Sequence, residues 1–327
     1  MNTTVLPNML DRDPATMPLE EIDISYIDLW KNDAKWPFFK RLRDEAPVHY
    51  CRNSEYGEFW SITRFEDIME VEKNWEIFSS YPRISIGDPV EGSTFSTPTF
   101  IAMDPPDHDD QRKTVQGAVA PQNLKELEAT IRSRAAQILD DLPLGETFNW
   151  VDRVSIELTT QMLATLFDFP FEDRSKLTRW SDIVFARLGE GIIESHEQRQ
   201  EELMECLAYF TRLWKEREDN PVGNDFISMM IRGDATRDLS PQEYLGNILL
   251  LIVGGNDTTR NSISGGVLAL NQHPQEYQKL RDNPAVIPNM VSEIIRWVTP
   301  LAHMRRTVTK DYEFRGQQMK AGDKVIM

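Results

Sequence analysis

The run Gly254-Gly255-Asn256-Asp257-Thr258-Thr259 puts two adjacent glycines, an acid and a hydroxyl inside a segment that is otherwise apolar and helix-like. Each glycine costs such a helix about 1 kcal/mol relative to alanine. An ionisable group beside a hydroxyl, at a weakened point of a helix, suits a place where a small ligand and protons reach an interior centre. The competing reading is local: Thr258 bonds back to a helix carbonyl and Asp257 turns to solvent.

Three further constellations carry charge. His108 and Arg112 stand four apart and share a helical face, where a carboxylate or phosphate would settle two neighbouring cations. Taken alone, they read more readily as a solvated pair beside Asp109 and Asp110. Arg305-Arg306 follow the apolar Pro300-Leu301-Ala302 and precede a strand, as a second arm of that anion clamp or as a charged edge. Glu293 and Arg296 are spaced to pair along a helix, where most such pairs are worth roughly a few tenths of a kcal/mol.

The elements that must position these residues are mostly helical. Ser240-Pro241-Gln242-Glu243 is a capping box with proline at the first helical position. The helix it opens keeps its apolar stripe, Leu245, Ile248, Leu249, Ile252 and Val253, and then Asn256, Thr259 and Ile263, through the glycines. It is expected to run to about residue 271 with a local distortion at the glycine pair, and to lie in the centre of the protein. At about 1.5 Å per residue it spans roughly 40 Å. Asp104-Pro105-Pro106 reads as a helix start with Asp104 as cap. Helices are predicted near 36–45, 66–74, 121–141, 150–168, 172–188, 195–219, 223–232, 274–282 and 286–298. Strands are predicted at 48–51 and 59–62. Residues 1–30 read as an irregular leader and 81–100 as a long surface loop of the kind that often carries function. The stretch 311–327 reads as three strands with turns at Gly316 and Gly322. It stops in mid-strand at Val325-Ile326-Met327 with no closing element; a bare apolar strand end would be an odd terminus, so the chain reads as a fragment of a longer protein.

Composition bounds the rest. The 327 residues are 40% hydrophobic and include eight tryptophans, enough for a sizeable core in one large domain or two. A net charge of -17 disfavours nucleic acid and anionic membranes as partners. The N-terminus has no signal-peptide pattern, and no run approaches the roughly 18 apolar residues that span a bilayer. The two cysteines, Cys51 and Cys206, have no metal-type spacing, so a reducing cytoplasm is the expected location. The five histidines form no zinc motif.

Together these residues resemble a cytochrome P-450 monooxygenase. Gly254-Gly255-x-Asp257-Thr258-Thr259 is similar to that family's oxygen-groove motif, and Glu293-Ile294-Ile295-Arg296 to its ExxR motif. His108-x-x-x-Arg112 is similar to its haem-propionate pair, and Arg306, before Asp311-Tyr312-Glu313-Phe314, to its further propionate arginine. Ile101-Ala102-Met103-Asp104-Pro105-Pro106, Gly255-Asn256-Asp257-Thr258-Thr259-Arg260-Asn261 and Pro300-Leu301-Ala302-His303-Met304-Arg305-Arg306 resemble the bacterial alkane and fatty-acid terminal hydroxylases.

The resemblance implies a single domain over 1–327, mainly α with small β-sheets (α+β). It implies haem b as cofactor, dioxygen and an apolar substrate, and electrons from an NADH-linked ferredoxin reductase and ferredoxin. Gly254 and Gly255 would open the oxygen groove, Thr258 would hold the oxygen or its water, and Asp257 would relay protons. His108, Arg112 and Arg306 would hold the cofactor, and Glu293 and Arg296 would form a structural ion pair. Selectivity for a terminal methyl must come from positioning, because its C–H bond is stronger than those beside it. Phe100, Ile101, Leu250, Val253, Leu301 and Ala302 are the expected channel walls, and Gly189-Glu190-Gly191 with Ile192-Ile193 an expected lid. The family's axial cysteine has no counterpart here, since Cys51 sits in an early strand and Cys206 among Glu201, Glu202 and Glu205. It is expected beyond Met327, which would leave the chain as it stands inactive. The same chemistry on a terpene or sterol side chain, and a non-catalytic helical protein that binds an anion, are the alternatives.

Overall fold

The computed structural model describes residues 8–88 and 95–327. They form two compact units, one of residues 8–88, 101–105 and 303–327, the other of 95–100 and 106–302.

The first unit is built on a five-stranded sheet. Its elements are α1 (Ile27–Lys31), α2 (Trp36–Glu45), β1 (Val48–Cys51), β2 (Phe59–Ile62), α3 (Phe65–Lys73) and β3 (Phe78–Ser79). From the far end of the chain come β4 (Arg305–Val308), the hairpin β5 (Tyr312–Phe314) and β6 (Gln317–Met319), and β7 (Lys324–Ile326). The sheet order is β1-β2-β7-β4-β3. β7 runs parallel to β2, with Trp60 beside Val325, and antiparallel to β4, with Arg306 beside Val325. The last strand is the central one, paired on both edges by strands more than two hundred positions apart in sequence. Phe78, Phe314, Met319, Val325 and Ile62 form the core beneath it. Full burial of side chains of this size is worth about 1.5–3 kcal/mol each.

The leader is more ordered than its composition predicts. Met9, Met17, Ile22 and Ile24 are buried against Leu29, Phe38 and Leu42 of α1 and α2. Arg41 ties the segment down by donating to the carbonyls of Pro14 and Met17.

The second unit contains α4 (Asp107–Val115), α5 (Pro121–Asp140), a π-helical turn (Val151–Ile156), α6 (Glu157–Leu166), α7 (Ser175–Phe185), α8 (His196–Arg217), α9 (Phe226–Arg232), α10 (Pro241–Gln272), α11 (Pro274–Asp282) and α12 (Ile287–Val298). The capping box forms as predicted, Ser240 Oγ accepting from the Glu243 amide and Glu243 Oε2 from the Ser240 amide. α10 packs against α6, α7, α8, α12 and the π turn. Its first half is buried through Leu245, Ile248, Leu249 and Ile252; beyond the glycines only Asn256 and Gly266 remain so. The helix runs unbroken through Gly254-Gly255. The irregular backbone lies instead in the π turn, where Ser155 meets Ser264 at 2.8 Å and Thr159, one turn on, donates to Asn256 at 2.8 Å. Between α6, α7 and α8 the rings of Phe167, Phe169, Trp180 and Phe210 pack on one another.

Asp104 does not cap α4, a correction to the sequence reading. The N-cap position is Pro106, with no side-chain cap bond. Asp104 instead accepts from the Ser79 hydroxyl and from the Ser80 amide at 2.9 Å. Part of the long loop, 89–94, lies outside the described residues; its last turn, Phe100–Ala102, is 3-10 helical.

Candidate functional site

The adjacent glycines 254 and 255 of α10 are there for different reasons. A Cβ on Gly254 would meet nothing within 4 Å, so the helix faces open space at that point. A Cβ on Gly255 would stand 2.9 Å from Leu163 Cδ2, so Gly255 lets α6 approach. Leu250, Gly254, Asp257 and Thr258 recur at three- and four-residue spacing and share one face. That face is half-buried to exposed, with Val253 beside it.

Thr258 Oγ1 donates to the Gly254 carbonyl at 3.0 Å, the local bond that the sequence left open. Asp257 is not turned free to solvent. Its carboxylate is bound by Arg260, one turn on, whose guanidinium also reaches Asp182 Oδ1 of α7 at 3.0 Å. One cation thus serves two carboxylates on two helices, and its own side chain is 15% exposed. Sequence reasoning missed this group. Arg260 stood at ion-pair spacing from Asp257 and was legible; Asp182, 75 residues away from Asp257, carried no local signal.

The loop limb before Phe100 docks on the same helix. Phe100 N–H donates to Asn247 Oδ1 at 2.9 Å, and Asn247 Nδ2 donates to Gln111 at 2.8 Å. Gly246 allows it, because a Cβ there would overlap the Pro98 carbonyl. Phe100 is buried, its ring 6.4 Å from that of His108. Leu301 is 52% exposed and Ala302 is exposed too. Gly189 and Gly191 take left-handed backbone, and the turn closes through Gly189 N–H to the Ile193 carbonyl at 2.8 Å. Ile193 is buried there, while Ile192 is exposed.

His108 and Arg112 do share α4. His108 Nδ1 lies 2.8 Å from Asp109, whereas the exposed Arg112 has no ion pair among the described residues. Glu293 and Arg296 form a two-pronged pair at 2.6 and 2.7 Å on the open side of α12. Arg306 belongs to the first unit. It is a buried residue of β4, not a charged edge, and donates to Glu72 at 2.8 and 3.0 Å.

The fit to a haem is divided. The space at Gly254, the unpaired Arg112 and His108 suit a flat anionic ligand. Neither Cys51 nor Cys206 suits a metal-binding thiolate, because both thiols are buried and disfavour ionisation. Burial pushes Cys51 up, with Asp23 adding to it, and burial pushes Cys206 well above its ordinary value. No step through the iron is therefore derived from this chain. No helix of the described residues is long and apolar enough to cross a membrane.

The cytochrome P-450 family model matches residues 141–327. Linalool 8-monooxygenase of Pseudomonas putida is 31% identical over 94% of this chain and 78% of that protein. A methyl-branched lipid omega-hydroxylase of Mycobacterium tuberculosis is 29% identical over all of this chain and 79% of its own length. Among solved structures, cytochrome P-450-153 from Novosphingobium aromaticivorans superposes with a TM-score of 0.86 at 47% identity, over 93% of this chain and 77% of that one.

Proposed function

Because the chain belongs to the cytochrome P-450 family of monooxygenases, we propose that it serves the hydroxylation of an unactivated C–H bond, at the terminal carbon of an n-alkane or fatty acid. The family is haem-dependent and uses dioxygen and delivered electrons. For this chain the reading is haem b, an NADH-linked reductase and a ferredoxin. The observation that carries it is the open space at Gly254, on one helical face with Asp257, Thr258 and the apolar Leu250.

When bound, the haem supplies the activation of dioxygen and the oxidising power. The chain's own part is to position and to move protons. Thr258 can release the Gly254 carbonyl and offer its hydroxyl to a water in the open space. Asp257 is the acid on the same face, held in a fixed orientation by Arg260. His108, Arg112 and Arg306 are the proposed propionate partners. For Arg306 this requires sharing with, or release from, Glu72. Leu250, Val253, Phe100, Ile101, Leu301 and Ala302 are the proposed walls that admit a chain end and exclude water.

The similarity to a linalool hydroxylase supports a second reading, the same reaction on a terpene side chain. A product assay on the haem-loaded enzyme separates the two: 1-octanol from octane, with little turnover of linalool, is expected. Linalool turnover without octane hydroxylation would favour the second. Absence of a carbon monoxide difference band from the complete haem-loaded enzyme would sink both.

A further inference from the structure

Asn247 is an amide in the apolar first half of α10, buried in the stretch that also buries Leu245, Ile248, Leu249 and Ile252. A buried amide is costly unless both its ends are bonded. Both ends of Asn247 are used, on two different segments. Oδ1 accepts from Phe100 N–H at 2.9 Å, and Nδ2 donates to Gln111 Oε1 of α4 at 2.8 Å. Phe100 opens the 3-10 turn Phe100–Ala102, so its N–H has no partner within that turn. The preceding residue of α10, Gly246, lets the Pro98 backbone lie against the helix beside this bond. The limb 95–100, α4 and α10 all belong to the second unit.

We propose that Asn247 is a positioning residue for substrate: it fixes the Phe100 backbone at a set height on α10, and so sets the wall that Phe100 forms on the approach to Gly254. The proposal rests on the reading of Phe100 as a substrate wall and of the space at Gly254 as the groove. Asn247, Leu250 and Gly254 follow one another at three- and four-residue spacing, so they lie along one face of the helix. The helical rise places Asn247 about 10 Å before Gly254. α10 runs unbroken between them, so the helix itself refers the limb to the groove, with no loop in between. A chain lying along that face with its end at Gly254 passes Leu250 and comes to the turn where Phe100 is held. An apolar residue at 247 would also fill the space; what the amide adds is a fixed direction and distance for the Phe100 N–H. Without that bond the limb is free to shift along the helix. A terminal methyl is chosen over the methylene beside it only while the chain is held in register.

Hydrogen exchange at the Phe100 amide of the 327-residue chain tests the link. Its consequence is read in the complete haem-loaded enzyme, as the ratio of 1-octanol to 2-octanol formed from octane and as the split between KM and kcat. Asn247→Leu keeps a branched side chain and removes both bonds. Asn247→Asp keeps the shape, and its carboxyl, held neutral by burial, can still accept from Phe100 and donate to Gln111. In the Leu variant Phe100 exchange should rise roughly tenfold, the weight of one hydrogen bond. The product ratio should fall several-fold, and KM should rise with kcat changed much less. The Asp variant should stay near wild type in all of these. If the Leu variant does not fold, Asn247→Ala, which adds no bulk, carries the same readings. Unchanged Phe100 exchange overturns the proposal, and so does faster exchange with an unaltered product ratio and KM. Loss of haem with an unaltered product ratio would place the effect of Asn247 on α4, and overturns it too. Phe100→Ala is the separate check on the wall: an unaltered product ratio and KM there removes the premise, whatever Asn247 does.

Discussion

Thr258 spends its hydroxyl on the carbonyl of Gly254, one turn back along the same helix. A proton-handling role requires that bond to be exchanged for one to water or ligand, and the exchange costs little because both ends are near solvent. Thr258→Ala should therefore leave the unfolding temperature almost unchanged while uncoupling NADH oxidation from product. General acid–base contributions of about 10²-fold set the scale of the loss. Peroxide release and product yield, measured together, check it; unchanged coupling would remove Thr258 from the chemistry.

Asp257 and Asp182 share Arg260, so the two acids should be energetically linked. Asp182 is about one-third exposed, which limits the pair to roughly 0.2–1 kcal/mol of stability. Asp182→Asn should cost that little in denaturant unfolding, and a double-mutant cycle with Asp257→Asn should be non-additive. In turnover the two should part. Asp257→Asn should slow it strongly with substrate affinity retained, whereas Asp182→Asn should slow it only modestly. A large loss of substrate affinity on Asp257→Asn would make the carboxylate structural.

Gly246, Gly254 and Gly255, three of the five glycines of α10, should separate in a single alanine series. Gly254→Ala meets no atom, so it should gain about 1 kcal/mol of helix stability while narrowing the open space and lowering activity. Gly255→Ala presses on the flexible end of Leu163 and should be near neutral, as strain offsets propensity. Gly246→Ala meets the Pro98 backbone, which cannot yield as a side chain does, and should destabilise by about 1–3 kcal/mol. Thermal unfolding ranks the three; a stable Gly254→Ala variant with full activity would refute the groove.

What the sequence made legible was local. The capping box at Ser240, the stripe of α10, the hairpin at Gly316 and the pairing of Glu293 with Arg296 each rest on residues within four or so positions of one another. What it hid was partnership across the chain. Asp104 looked like a cap because two prolines follow it, but Ser79 and Ser80, some 25 residues earlier, claim its oxygens. β7 looked like a loose end because the strands that flank it are β2 and β4. A helix distortion was expected at the glycines, which carry the weak propensity, and appeared in the π turn, whose sequence Val151–Ile156 has no breaker. The Asp182 partner of Arg260 falls in the same class.

A buried imidazole, His49, and a half-buried one, His303, should make stability fall in mild acid. His49 is buried in β1, its Nε2 bonded to the Leu19 carbonyl at 2.8 Å and its Nδ1 without a partner. Burial holds its pKa below the ordinary 6.5, as it does for His303. Each therefore takes up its proton in the unfolded chain before the folded one. In that window the unfolded state binds more protons, so stability rises with pH. The stabilisation is complete above about 6.5 and is lost as pH falls from there toward the lower folded value. Asp23 works in the opposite direction, because burial raises its carboxyl above 3.8 and the folded state protonates first. Unfolding temperature should drop between pH 7 and pH 5.5 in wild type, and His49→Gln should flatten part of that slope even while lowering stability at pH 7. A slope unchanged in both His49→Gln and His303→Gln would place the acid sensitivity elsewhere.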